Sequence, residues 1–517
     1  MHVLLLRPPR YVWPFNSETS AFWQPLGLLC LAAAARERIA GLDVQVWDCP
    51  GQRIGWRTLE RRLAEQPIDV LGIGEETVSA HEALRAAAAV RRLHPDCVVA
   101  AGGTYFAHAI EGTLATGLVE AIVGGEGEET FVELLRHIRD RAAWPGIRGL
   151  AFRGEGGRVV LNPPRPLIQN LDDLPFPAYD LIDMDSYGRG SRNHPALVSI
   201  EHSRGCIDSC GFCILWKHMG QSVGGNGAFL PRYRTKSPDR SFQEVRRLYR
   251  QFGRRTFGWV DPTFNASPEW SDGWAGRMLA SDLMDARGRP RTLHTAWMRA
   301  DCVVRDHKLG VLEKLVRAGL RQVMIGVERD DARGLAELDK HRNDPEICRE
   351  AFAIFRERHP QVFTIGTMIF GLPGDGREDL RRLMECEYRM GMDYGFLMPL
   401  TPNPGTAAAQ RARDGGYLAS GDLACYNFHT PVCRTDSLGL RELESVYWRI
   451  MLNPSRRRLG RAARQLLFER DRRKRRVSLA LLSRGTTIAA KSLLRAVLKP
   501  GNGQPTLYSR KPSWYDH

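Results

Sequence analysis

The stretch EHSRGCIDSCGFC, residues 201–213, sets three cysteines, Cys206, Cys210 and Cys213, in a Cys-x3-Cys-x2-Cys array. A closed structural zinc site takes four ligands. His202 and His218 flank the array, but His202 lies on the strand side, at the wrong spacing for a zinc knuckle. Thiolates also hold iron–sulfur clusters, and a [4Fe–4S] cluster bound by only three cysteines leaves one iron open to a substrate or cofactor. The array follows the apolar run ALVSIEHS (196–203), so it falls in the loop after a strand.

Downstream, the runs TFGWVD, TLHTAWM, QVMIGVE, VFTIGTMIF and YGFLMPL read as five more strands. Helical patterns such as SFQEVRRLYRQF, GVLEKLVRAG and PEICREAFAIFRER separate them. Six βα units over 196–405 predict a partial (β/α)6 barrel, whose functional residues belong at the C-terminal ends of strands.

Upstream, HVLLL (2–6), LDVQVWD (42–48), DVLGIG (69–74), DCVVAAGG (96–103) and EAIVGG (120–125) alternate with helical segments. Continuously apolar strands in such alternation predict a parallel, doubly wound, Rossmann-like sheet over 1–145. Gly72, Gly74, Gly102, Gly103, Gly124 and Gly125 gather at successive strand ends, the edge where such a sheet takes its ligand. A hairpin turned at GEGGR and the proline-rich run 163–182 read as a linker over 146–195. Residues 406–517 read as a mainly helical, basic C-terminal region; within them 477–500 suits an amphipathic helix pair that packs on the body or faces lipid. The fold class is therefore α/β.

Composition narrows the function classes. The net charge is +15, much of it supplied by the single stretch 455–476, so it is weak support for nucleic-acid binding. Eight of the eleven cysteines are scattered in apolar or helical settings, which argues for a reducing compartment and against a secreted disulfide framework. With no secretory signal and no apolar run of about 20 residues, the expectation is a soluble cytoplasmic protein.

The array, with Phe212 just before its last cysteine, resembles the radical S-adenosylmethionine (SAM) enzymes. The order NLDDLPFPAYDLI, SRGC, WVDPTF, WMRAD, IGVE, IFGLPG, TPNPGT is similar to the members that carry an N-terminal cobalamin-binding domain. QPLGLLCLAAA (24–34), VVAAGG (98–103) and VGGEGEETFVELL (123–135) resemble that domain itself, and the likeness covers roughly residues 1 to 435. It implies three cofactors: a [4Fe–4S] cluster on Cys206, Cys210 and Cys213, SAM chelating the open iron, and cobalamin. It further implies that Phe212 meets the adenine, with Gly371 and Pro373 bordering it, and that Asp261, Arg299 and Glu328 are candidates for the ribose and methionyl groups. Gly102, Gly103, Gly124, Gly125 and Glu126 would line the cobalamin tail. WDCPGQ (47–52) has no histidine to ligate cobalt from below, so Glu75, Glu76 or Thr77 is expected to approach the lower face. Three departures from the family pattern, Ile207, Asp261-Pro262 and Arg329, bear on individual SAM contacts and not on the cluster.

The resemblance implies a cobalamin-dependent radical SAM methyltransferase acting on an unactivated carbon of a small molecule or lipid. An oxidative cyclase of the magnesium-protoporphyrin monomethyl ester kind, without methyl transfer, is the alternative. RNA methylthiolation is disfavoured, because Cys30, Cys49 and Cys97 lack the setting of further cluster ligands. A non-catalytic sensor would not need the whole barrel series. The expected partners are the substrate and a flavodoxin- or ferredoxin-type reductase, with peripheral membrane contact open to the basic tail.

Overall fold

A computed structural model describes residues 1–10, 23–187, 196–223, 228–452, 474–475, 479 and 512–517. Five parallel strands form the first sheet: β1 (His2–Arg7), β2 (Asp43–Asp48), β3 (Val70–Gly74), β4 (Val98–Gly102) and β5 (Ala121–Val123). Their spatial order is β2-β1-β3-β4-β5, which puts a topological switch point between β1 and β3. Every residue of β1 after His2 is buried, as a strand covered on both faces requires. Helices Leu26–Arg38 and Glu128–Arg136 cover one face; Trp56–Glu65 and Ala80–Leu93 cover the other.

The hairpin assigned to the linker does not stand apart. Its strands continue the first sheet, β6 (Leu150–Arg153) antiparallel to β5 and β7 (Val159–Leu161) antiparallel to β6, so that sheet runs to residue 161 rather than 145. At β5, the side of the sheet turns from the parallel order that crossovers impose to one that a short hairpin allows.

The second sheet holds β8 (Leu197–Ile200), β13 (Thr256–Trp259), β14 (Leu293–Met298), β15 (Leu320–Glu328), β16 (Phe363–Phe370) and β17 (Tyr394–Pro399), all parallel and in chain order. Three of its helices begin with a side-chain cap followed by proline: Ser237-Pro238, Ser267-Pro268 and Asp344-Pro345. The cap oxygen accepts a free first-turn amide, and proline gives up only a donor that had no intrahelical partner. An aromatic nest of Trp259, Phe264, Trp270, Trp274 and His202 fills the space beside β13, with His202 stacked on Trp270 at 3.6 Å.

Four short strands interrupt the barrel, and alternation gave no sign of them. The β10 (Gln221–Val223) and β11 (Ala228–Leu230) strands form a hairpin, and β9 (Ser203–Gly205) pairs antiparallel with β12 (Tyr233–Thr235). The β9/β12 ribbon leads straight into Cys206.

The two sheets share a continuous core. Gln24 occupies the free edge of β8, donating to the Leu197 carbonyl and accepting from the Ser199 amide, and the Tyr179 hydroxyl donates to the Ser199 carbonyl. Helix Leu440–Leu452 packs on the barrel. The basic stretch 455–476 and the helix pair expected at 477–500 lie almost wholly outside the described residues, although Lys474 donates to the Pro360 carbonyl at 3.0 Å. Among the described residues, no helix is long and apolar enough to cross a membrane.

Gly205 links ribbon to cysteine loop at φ +82°, and a β-carbon there would overlap the Arg232 carbonyl. The left-handed backbone alone costs an L-residue about 1–2 kcal/mol, and the overlap adds to it. Gly205→Ala is therefore expected to lower both the thermal midpoint and the iron bound per chain after anaerobic reconstitution. Full iron content with an unchanged midpoint would refute this role for the ribbon.

Candidate cofactor site at the barrel mouth

The three thiols lie on the loop that leaves the C-terminal end of the first barrel strand, where barrel active sites form. Cys210 is buried and Cys206 and Cys213 are half-buried. Burial pushes the Cys213 thiol up to about 11, a shift that amide groups of Leu215 and Trp216 pointing at its sulfur partly offset. Burial likewise raises Cys210, against the nearby Lys340 ammonium. The Thr263 hydroxyl lies 3.5 Å from the Cys206 sulfur. Among the described residues no three His, Cys, Asp or Glu converge as a single-ion site would need. Thiolates that each take a different iron need no such convergence, and N–H groups aimed at sulfur with a cation beside it suit a cluster's charge. The donor set fits an iron–sulfur cluster.

Gly211 sits where a β-carbon would crowd the Asp339 carboxylate and lie 2.8 Å from Arg411. Its amide donates to the Leu338 carbonyl, and its carbonyl accepts from Ala408. Hung this way, Phe212 packs against Leu338, Ile369, Leu372, Leu400 and Ala408. Phe212 is thus brought to the cluster that includes Leu372 of the Gly371–Pro373 loop. Gly371 has φ +81° and open space where a β-carbon would stand, leaving backbone free to face a ligand.

The polar candidates are already partnered. Asp261 is fully buried: one oxygen accepts from the His202 amide (3.0 Å), the Ser203 amide (2.6 Å) and the Ser203 hydroxyl (2.6 Å). Its other oxygen has no partner among the described residues. Arg299 binds Asp208, inside the cysteine array, at 2.5 Å and Asp301 at 3.0 Å. Glu328 pairs with Lys340 at 2.9 Å and sits at φ +60°, a strained backbone for a non-glycine residue and one that tends to mark functional sites. Gly326 leaves room for that pair, because a β-carbon would lie 2.7 Å from the Lys340 ammonium. Arg329 and Asp375 form a buried double hydrogen bond, 2.9 Å in each arm, and Asp375 also accepts the Gly371 and Leu372 amides. Arg329 thus pins the Gly371–Pro373 loop. Asp208, Lys340 and Asp375 were not singled out from the sequence. Asp208, the one acidic residue within the cysteine array, carried a readable signal; the other two lie in ordinary polar loops.

On the first sheet, Glu75 and Thr77 are buried at the end of β3 and Glu76 is exposed. Burial pushes the Glu75 carboxyl up to about 7 despite Arg10, which contacts one oxygen at 2.5 Å; the other has no partner among the described residues. Gly103 takes φ +82° with the Glu75 backbone 3.1 Å from where a β-carbon would be, and Gly125 takes φ +65°. An orphaned carboxyl oxygen at the switch point, between glycine-edged strand ends, fits a large ligand laid across them. Asp48, which stands where a cobalt-ligating motif would begin, is consumed by Arg7 and Tyr187. Glu126 does not face along the glycine edge. Its two oxygens accept from Arg204, Arg234 and the Ile168 amide, because buried guanidinium groups outcompete other uses of a carboxylate.

Asp261 sets a pH signature. Burial raises its folded pKa to about 7 from 3.8, so between those values the unfolded chain has released a proton that the folded chain keeps. Stability therefore falls as pH rises through that window, by up to about 1.4 kcal/mol per pH unit. Asp261→Asn keeps an acceptor for all three donors and is expected to remove that slope in urea midpoints measured from pH 4.5 to 7.5. An undiminished slope would show that another group titrates.

Two family descriptions match the chain: the radical SAM superfamily over residues 200–386 and the B12 binding domain over 14–135. An uncharacterized methyltransferase of Pyrococcus horikoshii is 26% identical over 435 residues, covering 84% of this chain and 88% of that one. The anaerobic magnesium-protoporphyrin IX monomethyl ester cyclase of Rubrivivax gelatinosus is 25% identical, covering 93% and 82%. The fold is that of the radical SAM methyltransferase TsrM of Kitasatospora setae solved with cobalamin and a [4Fe–4S] cluster (TM-score 0.63, 20% identity, 81% of this chain and 79% of that one). The array on the first barrel strand and the glycine-edged sheet before it are therefore the two halves of one enzyme, and the chain belongs to the B12-binding radical SAM family, whose cofactors are a [4Fe–4S] cluster, SAM and cobalamin.

Proposed function

We propose that this enzyme transfers a methyl group from cobalamin to an unactivated carbon of a small-molecule or lipid-like substrate. The observation that carries the reading is the contact of Glu126 and Glu128, from the turn and helix start after β5, with the strand Ser203–Gly205 that delivers Cys206. Radical formation and methyl donation have to meet at one substrate atom, and positioning of this kind contributes much of an enzyme's rate. When bound, the cluster supplies an electron, SAM a radical source and a methyl group, and cobalamin the methyl carrier.

In this reading Cys206, Cys210 and Cys213 hold the cluster, while Phe212, Gly371 and Pro373 form the adenine wall. Gly102, Gly103, Gly124 and Gly125 border cobalamin, with Glu75 and Thr77 beneath it. Asp261 and Arg299 position the cysteine loop, through Ser203 and through Asp208. Glu328 contributes strained backbone and the Lys340 pair. A flavodoxin- or ferredoxin-type reductase supplies electrons in the cytoplasm, and the basic C-terminal region, 406–517, is where substrate or a membrane surface would be met.

The second reading is oxidative cyclisation. It is favoured by the cyclase relative, whose match extends over 93% of this chain and so includes much of the C-terminal region. Product mass separates the two. With methyl-labelled SAM, the reconstituted enzyme is expected to add one labelled methyl group to its substrate; ring closure with loss of hydrogen and no label would replace the first reading by the second. Cys210→Ala is expected to abolish 5′-deoxyadenosine formation while cobalamin stays bound, read from the visible spectrum after desalting. Loss of cobalamin in that variant would contradict the separation of the two sites.

A further inference from the structure

Arg204 and Arg234 face each other across the β9/β12 ribbon. Like charges directly opposite in an antiparallel pair repel, and the Arg204 side chain is only 5% exposed, so water does little to screen it. The ribbon tolerates the pair because three carboxylates reach it. Glu126 lies 3.1 Å from Arg204 and 2.8 Å from Arg234; Glu128 lies 2.5 Å and Glu201 3.0 Å from Arg204. The Ile168 amide also donates to Glu126, and Arg234 donates to the Ile168 carbonyl, so the linker joins the same knot.

Only Glu201 belongs to the barrel. Glu126 comes from the loop after β5, next to Gly124 and Gly125, and Glu128 opens the helix that follows, whereas Arg204 stands two residues before Cys206. The route from a cluster ligand to the cobalamin edge is therefore Cys206, Gly205, Arg204, then Glu126 and Gly125, crossing between domains once, through ion pairs. No second attachment of such low exposure joins these two loops among the ion pairs of the described residues.

We infer that Glu126, Arg204 and Arg234 are positioning residues: they fix the distance between the cobalamin edge of the first sheet and the cluster loop of the barrel. Each guanidinium is a rigid fork, so its carboxylate partners define an orientation as well as a separation. Were Glu126 to serve the cobalamin tail instead, two facing arginines would lose the carboxylate they share. The inference rests on the cofactor set and is independent of whether a methyl group is transferred.

The test measures geometry rather than turnover. In the parent enzyme loaded with cob(II)alamin and a reduced cluster, pulsed electron paramagnetic resonance reads the distance distribution between the two spins. Glu126→Gln, compared at equal cobalamin and iron content, is expected to give a distribution about twofold wider or displaced, since sites of this kind demand sub-ångström placement. Glu126→Gln/Arg234→Gln removes the stranded charge along with its partner, so its thermal midpoint should recover while the distribution stays wide. Arg234→Lys keeps the charge but not the fork; it should fold and still broaden the distribution, which keeps the test open if Glu126→Gln does not fold. A parent-like distribution in Arg234→Lys or in the double variant would overturn the inference and reduce the network to a stabilising contact. A product lacking a transferred methyl group would overturn the proposed reaction and leave this inference standing.

Discussion

One buried carboxylate decides where the cluster loop leaves the barrel. Strand β8 ends at Ile200, and the chain must turn out of the sheet before Cys206. At that turn the amides of His202 and Ser203 lie in the interior, where unpaired donors are costly. Asp261, from the end of the neighbouring strand, accepts both, together with the Ser203 hydroxyl. Burial makes this carboxylate a poor anion, yet the three donors fix its position. The His202 ring, stacked on Trp270 and bonded to the Phe264 carbonyl, closes the other side of the turn. The direction of β9, and with it the β9/β12 ribbon and the cysteine array, follows from that local arrangement.

The mouth of the barrel is built mostly from charges that satisfy one another. Arg299 with Asp208 and Arg329 with Asp375 join loops after different strands, while Glu328 with Lys340 closes the segment after β15 on the strand's own end. Each pair involves a loop that a bound ligand would touch: the cysteine array, the bulged end of β15, and the Gly371–Pro373 segment. Pairing of this kind holds the loops in place before a ligand arrives, which lowers the ordering cost of binding. Sequence motifs mark the loops, even where the marked side chain is held by a partner.

That distinction explains what could be read from the residues alone. Every strand of both parallel sheets lies within a few residues of its apolar run, because a strand buried on both faces leaves an uninterrupted hydrophobic signature. The approach of Phe212 to Leu372 of the Gly371–Pro373 loop was legible through motif order. The short ribbons β9/β12 and β10/β11 were not, since three-residue strands carry too few alternations to register. Nor was the fate of Glu126 legible. It stands in a glycine-rich segment that looks like ligand-binding loop, and its partners Arg204 and Arg234 lie 78 and 108 positions away. Long-range charge pairing has no local pattern. The hairpin at Leu150–Leu161 was recognised as a hairpin but assigned to the linker, because nothing in its own residues records that β5 offers a free edge.

The same logic reaches the end of the described chain. Helix Trp56–Glu65 begins after Gly55, which has no side chain to cap it. The free first-turn amides of Trp56 and Thr58 are instead taken by the carbonyls of Tyr515 and His517, while Trp514 and Tyr515 bury their rings in the core on that face of the first sheet. A β-carbon at Gly55 would collide with the carbonyls of Trp514 and His517, so the glycine that forgoes a cap is also what admits the substitute. The first sheet is thus completed twice by distant chain: its glycine edge by barrel arginines, and its outer core by residues more than 450 positions downstream. Domains that finish each other's cores and ion pairs lose more than their own contacts when one of them opens. Cooperative unfolding of the described body as a unit is the thermodynamic consequence, and a fixed relation between the two cofactor-bearing edges is the functional one.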